Sequence, residues 1–298
     1  MMRANLSLIL IAAAPLLHGC TPPAHVRVMS FNVRFASPAD GENRWENRRD
    51  AVLTLIRDGQ PDVLGLQEVL ASQAADLRAG LPEYEFIGVG REDGAEKGEF
   101  VPLMYRRQRF ELVDSGWFWL SQTPQQPGSM GWDAACPRIA TWARLRPREM
   151  PARMLRVINV HLDHQGILAR AASAQLLRRW AAANAGEPLI VTGDFNCGPD
   201  SQPYRALLDP GTDGIRLRDA GRSDSQPGPD EGTYHAFTGQ PQSGRIDWIL
   251  ASDDFRVLSA DIDRTSFNAH YPSDHFPVWA ELSLLRPQVG NPRPRPAE

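Results

Sequence analysis

The chain has 298 residues, 42% of them hydrophobic and 23% charged, with a formal net charge of −4. These values exclude a disordered chain and leave ample length for a sizeable core. The acidic balance counts against a protein whose main partner is nucleic acid, which usually shows a basic footprint.

Residues 1–20 read as a targeting signal. Arg3 supplies the positive start, and the apolar run 6–17 is shorter than the roughly 20 residues a membrane span needs. Leu17-His18-Gly19-Cys20 resembles a bacterial lipoprotein cleavage box, although His18 stands where a small residue is usual. The expectation is a protein of the cell envelope, periplasmic or extracellular, attached to a membrane only by lipid at Cys20. No later apolar run is long enough to span. Residues 21–285 read as one domain, because no linker and no solenoid repeat divides them. Residues 286–298 are Pro-rich and read as a disordered tail.

In chain order, residues 26–33 alternate as a strand with Asn32 near its end. Residues 43–57 form an amphipathic helix with Trp45, Val52, Leu53 and Ile56 on its apolar side. A short apolar strand, 62–66, is followed by Gln67-Glu68. Residues 72–81 read as a helix, 84–89 as a strand and 91–99 as a loop. Residues 101–105 and 110–120 read as hairpin-like strands carrying Tyr105 and the aromatics Trp117, Phe118 and Trp119. A long Pro/Gly-rich loop, 121–137, follows, and Arg138 after it is a candidate phosphate-facing guanidinium. Residues 155–161 form a strand ending in His161-Leu162-Asp163-His164, and alternation puts His161 and Asp163 on one face. Residues 169–183 are an amphipathic helix.

The central stretch is LIVTGDFNC, 189–197, a buried strand whose alternation aims Asp194 and Asn196 the same way and Phe195 into packing. A further strand, 246–250, carries Arg245 and Asp247 at its start. Ser273-Asp274-His275 precedes the last strand, 277–284. His235, in the loop 232–239, is a candidate substrate contact. Cys136 and Cys197 either pair or remain two buried thiols. No Gly-x-Ser-x-Gly elbow, His-Glu-x-x-His or Cys-x-x-Cys spacing is present, which argues against a serine hydrolase or a zinc site.

The stretches MSFNVR, LGLQEV, NVHLDH, VTGDFN, RIDWIL and SDHFPV occur in this order. Together they resemble the motifs of the endonuclease/exonuclease/phosphatase superfamily, over about residues 25–285. HLDH, WDAACPR and GDFN with PDS look most like a bacterial secreted branch, related to nocturnin-like and sphingomyelinase-like phosphoesterases. The resemblance implies an α/β (α+β) fold: a four-layer α/β/β/α sandwich of two packed mixed β-sheets. It implies Mg²⁺, with Mn²⁺ as a substitute, held by Asn32, Glu68 and Asp274.

It also implies roles. Asp194 positions the attacking water or handles the leaving-group proton, and Asn196 steadies the nucleophile and phosphoryl oxygens. His161 donates to the phosphate. His275 is the base or electrostatic partner, oriented by Asp247. Tyr105 touches phosphate. Arg138, Asp163 and His235 complete the candidate substrate contacts. The leading expectation is a metal-dependent phosphodiesterase or phosphatase, a monomer, acting on a lipid, sugar or other small phosphate ester. The alternatives are a scavenging nuclease, for which nucleic acid would be the partner, and a non-catalytic binding lipoprotein.

Overall fold

The computed structural model describes residues 25–211, 214–221 and 232–285. The targeting signal, the Cys20 anchor and the Pro-rich tail lie outside the described residues. No described helix is long and apolar enough to cross a membrane.

The central strands carry different chemistry on their two faces. β1 (His25–Asn32) turns Val26, Val28, Ser30 and Asn32 one way and Met29 and Phe31 the other, and all six are buried. A strand buried on both faces belongs in the middle of a sheet with layers on either side. The same holds for β2 (Val63–Gln67), β7 (Leu155–His161), β8 (Leu189–Asp194) and β10 (Asp247–Ser252).

Two six-stranded sheets result. The first has the order β11-β12-β1-β2-β4-β3, with β3 Tyr84–Ile87, β4 Leu103–Arg106, β11 Phe255–Ile262 and β12 Val278–Leu284. The second has the order β5-β6-β7-β8-β10-β9, with β5 Phe110–Trp119, β6 Ile139–Pro147 and β9 Leu217–Asp219. In each sheet the pair β1/β2 or β7/β8 is parallel and its other pairings are antiparallel, so both sheets are mixed. The sheets pack face to face over Val26, Val28, Val63, Leu155, Val157, Ile190, Ile249 and Leu282. α1 (Trp45–Gly59) and α2 (Ala71–Gly80) cover the first sheet through Val52, Leu53, Ile56 and Leu77. α3 (Ile167–Ala183) and α4 (Gln202–Leu208) cover the second through Ala174, Leu177 and Leu207. This is the four-layer α/β/β/α sandwich.

Position along the strands decides what the inner face carries. In β7 the inward residues run Leu155, Val157, Asn159, His161, and in β8 Ile190, Thr192, Asp194. The interior therefore passes from aliphatic to polar to ionisable toward one end. At the polar level Asn159 Oδ1 accepts from Gln67 Nε2 (2.8 Å) and Thr192 Oγ1 (3.1 Å). Asn159 Nδ2 donates to the carbonyls of Leu66 (2.7 Å) and Pro102 (2.8 Å). The sheets are thus hydrogen-bonded to one another through side chains, which burial makes costly to break. The close approach is at Gly65, where an added Cβ would lie 2.2 Å from Thr192 Oγ1 and 2.7 Å from Asn159 Oδ1.

Several sequence expectations change. β4 and β5 do not form a hairpin: the turn after Arg106 carries the chain from one sheet to the other, β4 pairing with β2 and β3 and β5 with β6. β6, β9, β11 and α4 are elements the sequence reading left unassigned. Phe118 and Trp119 are core, whereas Trp117 is exposed. Cys136 and Cys197 are two free, half-buried thiols.

Gly65→Ala is expected to lower stability by about 1–3 kcal/mol, the usual cost of overpacking a filled interior. A urea titration checks it; a midpoint matching the wild type would show that the sheets tolerate a side chain between them.

Candidate active site

Strand direction brings the ionisable residues to one edge. β1, β2, β7 and β8 all run toward it and end in Asn32, Gln67, His161 and Asp194. β10 is antiparallel to β8 and begins there with Asp247, opposite Asp194. β12 is antiparallel to β1 and is preceded by Ser273-Asp274-His275. Arg34 (φ 56°), Glu68 (φ 62°) and Asn196 (φ 50°) then turn the backbone off the strand ends in the left-handed region. Non-glycine residues enter that region at a cost and do so disproportionately at functional sites.

Asp194 is the hub. Its Oδ2 accepts from Asn32 Nδ2 at 3.0 Å and lies 3.5 Å from His161 Nε2 and 3.9 Å from His275 Nε2. Its Oδ1 accepts from the Asn196 backbone N–H at 2.9 Å. Asn32 Nδ2 also donates to Glu68 Oε1 at 3.0 Å, so one amide bridges carboxylates of the two sheets. Asp247 Oδ2 is 2.9 Å from His275 Nδ1, which leaves Nε2 of that ring toward Asp194. Ser273 Oγ donates to the Asn32 carbonyl at 2.7 Å and ties the Asp274-His275 segment to β1.

The electrostatics follow from burial among carboxylates. Burial, with Asp247 beside it, pushes Asp194 up to about 7 against the pull of His275 and the hydrogen bonds it accepts. Burial works against a charge on His275, but Asp247, Asp194 and Asp274 outweigh it and raise the imidazole to about 10. Burial, followed by the charges of Arg138 and Arg91, keeps His161 well below the ordinary histidine value. Burial also raises Asp274, with Glu68 adding to the effect.

The structure thus brings together Asn32, Glu68, His161, Asp194, Asp247, Asp274 and His275. Asn196 sits at the edge of this group, its Nδ2 donating to the Leu162 carbonyl at 2.9 Å. It reaches its place by the left-handed turn, not by strand alternation as the sequence reading expected.

Four candidates go elsewhere. Tyr105 pairs with Val63 at the opposite end of β2 and is buried in the core between the sheets, so it does not reach the cluster. Asp163 turns away from His161. It accepts from the backbone N–H of Ala135 (3.1 Å), Gln165 (3.0 Å) and Gly166 (2.7 Å) and from Arg138 Nε (3.2 Å). Burial opposes its charge, yet these donors hold it down at about 2. Arg138 is correspondingly buried, with Nε on Asp163 and Nη2 on His164, while its Nη1 has no hydrogen-bond partner among the described residues. His235 is fully buried, its ring stacked 3.9 Å from Phe276, and burial lowers it to about 4.

Sequence reasoning missed other members. Tyr234, not His235, bridges to His275, its ring centroid 5.1 Å away. Parity beside the buried His235 is the signal that finds it. Glu99 holds Arg91 at 2.7 and 2.8 Å and lies 3.9 Å from His161 Nδ1. Arg34, inside the FNVR stretch, lies 3.9 Å from both Glu68 and Asp274. Asp133 accepts from the N–H groups of Leu168 (3.2 Å) and Ala169 (2.7 Å), so the long loop caps α3.

Acidic side chains converge in a buried setting, Asp247 Oδ1 has no hydrogen-bond partner among the described residues, and Asp194 and Asp274 resist ionisation. Such a set fits a hard divalent cation. Glu68 and Asp274 would hold it, with Asn32 engaging through Oδ1, the atom that here accepts from the Arg34 N–H (2.9 Å). The ligand atoms of Asp194, Asp247 and His275, which also lie within 4.8 Å of one another, offer a second grouping.

The sequence model of the endonuclease/exonuclease/phosphatase family matches residues 29–275. The chain belongs to that family. A family structure from Bacteroides vulgatus superposes with a TM-score of 0.81 at 39% identity, covering 88% of this chain and 99% of that one. A mannosyl-6-phosphatase from Bacteroides thetaiotaomicron superposes with a TM-score of 0.80 at 34% identity, covering 87% and 100%. By sequence, nocturnin from Drosophila melanogaster is 26% identical over 283 residues, 82% of this chain but only 42% of that protein. Family members act on phosphate esters and use divalent metals, and the cluster at the strand ends is where this chain gathers groups suited to that chemistry.

His235 generates a stability prediction. Its folded-state value of about 4 lies below the ordinary 6.5, so the unfolded chain binds the proton more readily. Its contribution is present above about 6.5 and is lost as pH falls toward about 4. Denaturation midpoints of wild type and His235→Leu across this range check it: the variant should lose part of the acid-side decline, and parallel curves would contradict the assignment.

Proposed function

We propose that the protein is a magnesium-dependent phosphoesterase that hydrolyses a small phosphate ester by in-line attack of water. The observation carrying this reading is the convergence of Asn32, His161 and His275 on Asp194. The likeness to a mannosyl-6-phosphatase along that protein's whole length supports a sugar phosphate as the substrate class. The oxygen-rich donors favour Mg²⁺, with Mn²⁺ accepted by the same set.

When bound, the cation polarises a phosphoryl oxygen and offsets developing negative charge. The protein's own groups do the rest. As the water oxygen bonds to phosphorus and the P–O bond to the alcohol breaks, Asp194, pushed up to about 7, takes the water's proton, and the leaving oxygen takes its proton from bulk water. His275, protonated through Asp247, presents Nε2 to a phosphoryl oxygen and stabilises the charge that accumulates there. His161, kept neutral, donates from Nε2, and Asn196 steadies the water. Phosphoryl transfer asks a protein mainly for such positioning and charge stabilisation.

Purified protein assayed on mannose 6-phosphate and p-nitrophenyl phosphate, with Mg²⁺ and with chelator, tests the reading. Turnover should require the metal. Asn196→Ala should lower it by roughly 10²–10³, as loss of one preorganised donor does, and Asp194→Asn by roughly 10²–10⁴, as loss of a general base does. Turnover that survives chelation, or an Asp194→Asn enzyme of near-normal rate, would refute it.

A further inference from the structure

We propose that Arg34 reads the second negative charge of a terminal phosphate, making the site selective for phosphate monoesters over diesters. The proposal rests on the phosphoesterase reading above and names its substrate class.

Arg34 is held as a fixed tool. Its Nε and Nη2 donate to Asp40 Oδ2 (3.1 Å) and Oδ1 (2.9 Å), and the guanidinium carbon lies 4.2 Å from the Phe35 ring centroid. One edge and one face are thereby engaged. Nη1 has no hydrogen-bond partner among the described residues and sits 3.9 Å from Glu68 Oε2, while Nε sits 3.9 Å from Asp274 Oδ2. The side chain keeps 26% of its surface accessible. The free Nη1 therefore faces Glu68, one of the carboxylates proposed to hold the cation, where a phosphoryl oxygen would lie.

The neighbouring guanidinia each hold protein partners, with Arg91 Nε and Arg138 Nη1 buried and unpartnered among the described residues. Arg48 is buried and donates to the carbonyls of Val33, Arg34, Asn43 and Pro272. Arg91 is paired with Glu99, and Arg138 with Asp163. A diester carries one negative charge, spread over two terminal oxygens. A monoester carries a second, spread over a third terminal oxygen, and a preorganised guanidinium edge discriminates on that difference. The backbone at Arg34 is fixed separately, through Gln73 and Arg48 donating to its carbonyl (2.9 and 2.6 Å). Side-chain replacement therefore leaves the turn in place.

The test compares wild type, Arg34→Gln and Arg34→Lys at about pH 8, where a phosphate monoester carries close to two charges. Turnover of p-nitrophenyl phosphate and bis(p-nitrophenyl) phosphate is measured with saturating Mg²⁺. Calorimetry gives the affinities for inorganic phosphate, dimethyl phosphate and Mg²⁺ alone. Arg34→Gln should lower kcat/KM on the monoester and affinity for inorganic phosphate by about 10- to 100-fold, as loss of a charge-assisted hydrogen bond does. Diester turnover, dimethyl phosphate binding and Mg²⁺ affinity should change by less than about threefold, and Arg34→Lys should fall between. Equal losses on both esters, or a matching loss of Mg²⁺ affinity, would overturn the proposal. If wild type turns over neither ester but binds phosphate in an Arg34-dependent way, the charge-reading role stands and the hydrolase reading falls. If phosphate binding is absent or unchanged in Arg34→Gln, the role of Arg34 falls.

Discussion

The hydrogen bond from Asn32 to Asp194, 3.0 Å long, is the constraint on which the rest of the structure depends. Its donor stands in one sheet and its acceptor in the other, so it exists only if the sheets meet at a fixed separation and register. Both are set one level deeper. Gly65 permits the approach by having no side chain, and Asn159 fixes it by bonding to Gln67 and Thr192 from opposite sheets. Below that level aliphatic packing supplies cohesion without direction. The interior is therefore graded: non-directional contacts at one end, directional ones in the middle, and ionisable groups where the directional bonds have already set their geometry.

That gradation explains how so much like charge is tolerated. Burying a carboxylate is costly unless it is bonded or neutralised. Here each acidic group has a distinct answer. Asp247 has His275, Glu68 accepts from Asn32 and from the Phe35 N–H at 3.1 Å, and Glu99 has Arg91. Asp163 lies in the same neighbourhood but is fully engaged by a loop and a helix start. Asp194 accepts from Asn32 and from the Asn196 N–H and is still pushed upward, facing two imidazoles. A group left short of neutralisation in a rigid setting is one ready to exchange a proton.

Much of this was legible in the sequence, for a physical reason. Period-two patterns in β1, β7 and β8 reveal which residues share a face, and chain direction reveals which end they reach, so Asn32, His161 and Asp194 could be placed. What the pattern does not encode is partnership. β4 and β5 read as a hairpin because each alternates, yet nothing local says that the chain changes sheets between them. Asp163 shares parity with His161, but two of its partners, Ala135 and Arg138, lie some 25 to 28 residues away in sequence, where alternation says nothing of them. Tyr105 failed for lack of depth: a residue's height along a strand depends on register with Val63, which alternation leaves open. His235 and Tyr234 show that one position of parity moves a side chain from the site into the core.

The pairing of β1 with β12 sets His25 opposite Ser283, at the pole away from the strand ends that carry the acidic groups. The first and last described strands therefore begin and finish side by side. A short linker could join the start of β1 to the finish of β12, and new ends could be opened in an exposed loop on the far side. The order of the strands in space, and not their order along the chain, would then be what assembles the cluster. A version permuted there keeps its mouth clear because β1 begins and β12 finishes at the opposite pole.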